Sequence, residues 1–118
     1  MTTEILQFNE QIRGRTLKLA INIHDVLGLK KIPVITRPAV NQIIRSSASV
    51  AANYRAATRS RSDAEFFSKI CVVVEECDET QFWLDYLART GVVTDIETKE
   101  IQQEADELVR LFTSIKKK

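Results

Sequence analysis

The sequence predicts an all-α fold, an up-down-up-down antiparallel four-helix bundle in a single domain over residues 1–118. Three observations carry this. Glycine and proline are scarce, at three and two residues, while helix formers abound. Four stretches place apolar residues at alternating steps of three and four. Helix start and stop signals fall between those stretches.

The first helix is expected over about residues 9–27. Ile12, Thr16, Leu19, Ile23 and Val26 form its inner stripe, and Gly28 is a plausible stop. The linker "LKKIPVITR" contains the breaker Pro33. The second helix is expected over about 38–58, with Pro38 tolerated in its first turn. Its stripe is Val40, Ile43, Ile44, Ser47, Val50, Ala51, Tyr54 and Ala57. The small Ser47 and Ala51 would let a neighbouring backbone come close. Ser62 and Glu65 match the S-x-x-E capping box, which opens a third helix over about 63–90. Phe67, Ile70, Val74, Cys77, Gln81, Leu84 and Ala88 form its expected inner face, and Gly91 its stop. Thr94 and Glu97 make a second capping box before a fourth helix over about 95–116. Ile101, Ala105, Leu108, Phe112 and Ile115 form its stripe, and Lys116, Lys117 and Lys118 suit its C-terminus.

A chain of 118 residues with 44% hydrophobic and 28% charged content suits one soluble domain with its own core. No apolar run approaches the roughly 18 residues that span a membrane. The start "MTTEILQFNE" lacks the basic and apolar regions of a signal peptide. A cytoplasmic protein that does not enter the membrane is expected. Cys71 and Cys77 on one helix would lie about 9 Å apart along its axis, too far for a disulfide.

Several chemistries lack their parts. "EECDET" gathers Glu75, Glu76, Asp78 and Glu79, but a di-iron bundle needs Glu-x-x-His pairs. The one histidine, His24, sits in no such motif and reads as a charge partner for a helix C-terminus. There is no Gly-rich phosphate loop and no nucleophile elbow. No enzyme activity, cofactor or metal is expected.

Charge is uneven along the chain. Arg37, Arg45, Arg55, Arg59 and Arg61 give the 37–61 segment +5 with no acid. Residues 62–90 carry seven acids against Lys69 and Arg89, hence −5. Arg45, Ala48, Ala52, Arg55 and Arg59 recur at helical spacing and share one face, and Arg61 extends it into the turn. Two readings stay open. The arginines are solvated or meet the Glu75–Glu79 acids, or they contact nucleic-acid phosphates. Phe82, Trp83 and Tyr86 lie off the expected inner stripe. Either Trp83 seals the core edge, or the three mark a subunit interface, where such residues are enriched.

The segments "QIIRSSASVAANYRAATRSRSDAEFFSKI" and "EECDETQFWLDYL" resemble a bacterial four-helix bundle family. Its relatives are encoded in intervening sequences of large-subunit ribosomal RNA genes and include the accessory variability proteins of retroelements. Gln42, Arg45, Ser49, Val50, Asn53, Ser62, Glu65 and Phe66 carry the resemblance, as do Glu79, Thr80, Trp83 and Leu84. It extends from Asn9 to Ile115. Many members have Glu-Gly where this chain has Arg55 and Ala56. The resemblance implies a five-subunit ring. It also implies, from the retroelement relatives, contact with RNA or DNA and with a protein partner such as a reverse transcriptase. The leading expectation is therefore a non-enzymatic ring-forming protein. It would bind nucleic acid through Arg45, Arg55, Arg59 and Arg61 and assemble near Phe82, Trp83 and Tyr86. The alternative is a purely structural assembly module.

Overall fold

The structure is a computed structural model and describes residues 2–118. Helix α1 spans Thr3–Gly28, α2 Arg37–Ala57, α3 Asp63–Arg89 and α4 Asp95–Lys116, with a 3-10 turn Val34–Thr36 before α2. Each helix packs on its sequence neighbours, and α1 closes the bundle against α4. Side-chain bonds give the directions. Tyr54 near the end of α2 donates to Asn9 near the start of α1 (3.3 Å). Lys30, just past α1, donates to Glu97 in the first turn of α4 (2.7 Å). Neighbours are thus antiparallel, in a bundle of 47 × 22 × 20 Å.

Local chemistry explains the ends. Thr2 caps α1 by accepting from the Ile5 amide (3.1 Å), so this helix begins six residues before the expected Asn9. Gly28 closes α1 without left-handed geometry, and Leu29 in a right-handed conformation is its cap. Gly91, at φ +79°, is the true glycine stop. The Val92 amide donates to Leu87 O (3.0 Å) and the Gly91 amide to Ala88 O (3.2 Å), the paired bonds of a Schellman end. Thr94 and Glu97 exchange both capping-box bonds (2.8 and 3.2 Å). At α3 only half of the box forms: Ser62 accepts from the Glu65 amide (3.1 Å). Because α1 continues past His24, that residue lies before the last turn, exposed, with Nδ1 3.2 Å from Asp25.

The α1 and α4 stripes are buried much as expected, with Leu27 rather than Val26 fully enclosed and Ile115 half-buried. Helix α3 is rotated from its expected register. Its buried line is Ile70, Val73, Cys77, Thr80, Leu84 and Leu87, while Phe67 is 51% exposed. A polar pair fixes this rotation: Ser46 and Thr80, both fully buried, share a 2.9 Å hydrogen bond between α2 and α3. On α2 the enclosed small residues are Ala39, Ser46, Ser47 and Ala57. Ala51 is only half-buried, because it faces an open groove rather than a closely approaching helix.

Both cysteines are free. Burial pushes the Cys77 thiol up to about 12, aided by Asp78 and Glu104. The thiolate is the reactive form, so native protein should yield at most one fast-titrating thiol, Cys71, with dithiobis-nitrobenzoate. Unfolding should release the second; two fast thiols in native protein would contradict the packing around Cys77.

Candidate nucleic-acid interface and aromatic ridge

The expected arginine face divides into two parts. Arg45 leans toward α3 and is held by two acids. Its Nη1 donates to Glu76 Oε1 (3.3 Å), its Nη2 lies 3.1 Å from Glu76 Oε2, and Nη2 also donates to Glu79. The hydrogen bonds that Arg45 donates to Glu76 and then Glu79 raise its pKa above its ordinary value. Desolvation pushes Glu79 up, but the hydrogen bonds from Arg45 and Trp83 outweigh it and leave Glu79 below the usual carboxylate value. For Arg45, then, the paired reading describes the fold.

Arg55, Arg59 and Arg61 come together at the other end of α2, where the chain turns into α3. With Lys69, Glu65, Ala52 and Ala56 they line an open depression of about 580 Å³. None of the four cations has an ion pair among the described residues. Four positive charges against Glu65 alone leave a local excess of +3. Lys69 was not expected in this group. Its signal was the i, i+4 spacing from Glu65, which puts both on the α3 flank nearest the turn. The Ser60 hydroxyl in the same turn is buried without a partner.

The aromatic residues form one ridge on α3. Phe82 and Trp83 meet edge to face (4.9 Å, 77°), as do Trp83 and Tyr86 (5.3 Å, 75°). Phe82 is 57% and Tyr86 41% exposed. Trp83 is half-buried against the core, and its indole donates to Glu79 Oε1 (3.3 Å). Trp83 thus closes the core edge while its two neighbours stand in solvent. Among the described residues no cluster of His, Cys, Asp or Glu forms a metal site. Nor, among the described residues, is any helix long and apolar enough to cross a membrane.

These features define a small helical bundle with an unpaired basic end and an exposed aromatic ridge. The chain belongs to the 23S rRNA-intervening sequence protein family, whose model matches residues 9–114. A crystal structure of a protein of unknown function from the S23 ribosomal protein family, from Bacteroides thetaiotaomicron, is similar to it. The two are 30% identical with a TM-score of 0.80, over 91% of this chain and 99% of the other. No curated protein matches the chain significantly.

Proposed function

We propose that the protein is a non-enzymatic, homo-oligomeric module that holds RNA or DNA by its phosphates at Arg55, Arg59, Arg61 and Lys69. The observation that carries this reading is the gathering of four cations in one open depression. Arg55, Arg59, Arg61 and Lys69 line it with Glu65 as its one acid, and none of the four has an ion pair among the described residues. Unpaired cations gathered in an open depression favour an anion without breaking existing bonds. No aromatic side chain lines that depression, so contact is with the backbone and not by base stacking. The five-subunit ring implied by the resemblance would multiply the patch fivefold.

The test is fluorescence anisotropy of a labelled RNA and a labelled duplex at several salt concentrations. Binding should be weakly sequence-specific and fall steeply with salt. Replacing Arg55, Arg59 and Arg61 together with alanine should flatten the logarithmic salt dependence by about 0.9 for each duplex phosphate no longer neutralised. Arg45→Ala should leave that slope unchanged, because its charge is already neutralised. Absence of binding at low salt would overturn the nucleic-acid half of the reading. The purely structural alternative is favoured by the Arg45–Glu76–Glu79 cluster, which commits one arginine of this face to packing α2 on α3.

A further inference from the structure

Building on the homo-oligomer just proposed, we infer that the Phe82–Tyr86 ridge of one copy docks into the open groove between α1 and α2 of the next copy. The groove is about 630 Å³ and is lined mainly by Gly14, Leu17, Ala20, Ala48, Ala51 and Ala52. It is vacant within one chain: a Cβ added to Gly14 would meet nothing within 4 Å. Leu17 and Ile21, 55% and 48% exposed, extend its apolar wall along α1. A monomer gains nothing from leaving these side chains in water.

The ridge supplies what the groove lacks. Phe82 and Tyr86 stand one helical turn apart, their ring centres 6.3 Å from each other. Glu75 and Asp78 recur with them at steps of three, four and four, so all four share the outward face of α3. Both acids are exposed and have no ion pair among the described residues. The groove is flanked by Arg13 and Arg55, neither with an ion pair among the described residues, with Glu10 as its one acid; Arg55 also borders the basic depression, so the docked ridge and phosphate share it in the assembly. An apolar, acid-flanked ridge therefore faces an apolar, mainly base-flanked groove. The two lie on different surfaces of one chain. Each docking event consequently leaves a free ridge on one copy and a free groove on the other, the head-to-tail geometry that gives a ring where the rotation closes and a filament where it does not.

Such geometry has a specific test. Ala48→Glu fills the groove and sets an acid against the acidic ridge; Phe82→Ser with Tyr86→Ser removes the ridge. All three positions are exposed, so circular dichroism should show wild-type helicity. In sedimentation velocity each variant alone should run as a monomer of 13.4 kDa. An equimolar mixture should form a heterodimer, because one intact groove meets one intact ridge, and should form nothing larger. If wild type and Ala48→Glu both assemble while only the ridge variant falls apart, the ridge docks elsewhere and the inference fails while the oligomer stands. A mixture that stays monomeric also defeats it. Wild type that is monomeric at every concentration overturns both the inference and the oligomeric reading.

Discussion

Phe112→Ala is expected to lower the unfolding free energy by about 3–5 kcal/mol, the upper range for a single core truncation. The ring has no solvent exposure and lies 5.4 Å from the ring of Tyr54, tilted by 41°. Tyr54 is itself 1% exposed and is tied to α1 through Asn9. Phe112 therefore fills the place where the ends of α2 and α4 meet the start of α1. Removing it opens a cavity between side chains held by three helices, which limits how far the site can collapse. A domain of this size has only about 5–15 kcal/mol in total, so the loss is a large fraction. Urea titration should show a lower midpoint with an unchanged slope. Phe67→Ala is the control. Half-exposed on α3, it should shift stability by about 0.5 kcal/mol or less. Equal losses for the two would mean that α3 sits in the register its apolar spacing suggested, with Phe67 inward.

That register is where sequence reasoning and structure part. On α4, charged and amide residues fill most positions outside one apolar stripe, with Ile96 the exposed exception, so Ile101, Ala105, Leu108 and Phe112 are legible as its buried line. Helix α3 carries apolar residues around much of its circumference: Phe66, Phe67, Cys71, Val72, Phe82 and Tyr86 join the buried line. Several rotations then satisfy the same periodicity. The choice among them is made by Thr80 meeting Ser46, a pairing between residues 34 positions apart. Periodicity read along one helix has no access to it. The same holds for the basic face. Its spacing placed Arg45, Arg55 and Arg59 together, but whether Arg45 reaches Glu76 and Glu79 depends on how α2 slides against α3. The early start of α1 was legible in principle, since Thr2 with Glu4 is a capping pattern. It was obscured because Ile5, Leu6 and Phe8 remain exposed and add nothing to the buried stripe.

Arg45→Ala should cost about 1–3 kcal/mol at neutral pH, between the limits for exposed and buried ion pairs. Arg45 is about half exposed, but the Glu76 side chain retains only 18% of its exposure. Glu76 Oε2 is buried and has no hydrogen bond in line; the guanidinium 3.1 Å away is its compensation. Truncation would leave that charge facing Glu79 with no cation between them. The effect must weaken in acid, and the sign follows from Glu79. Its folded pKa lies below the ordinary 4.5, so its contribution is complete above 4.5 and is lost as pH falls through the lower folded value. Arg45 stays charged throughout, since its own pKa is raised. The gap between wild type and Arg45→Ala should thus be widest near pH 7 and narrow steadily below pH 4.5 as Glu79 protonates. Trp83, the one tryptophan in the chain, reports locally because its indole donates to the same Glu79. Its emission should change over that acid range before the cooperative unfolding transition in wild type. In Arg45→Ala, where nothing depresses Glu79 as strongly, the change should come at higher pH. A gap equally wide at pH 3 and pH 7 would show that Arg45 acts through its aliphatic packing and not through these two carboxylates.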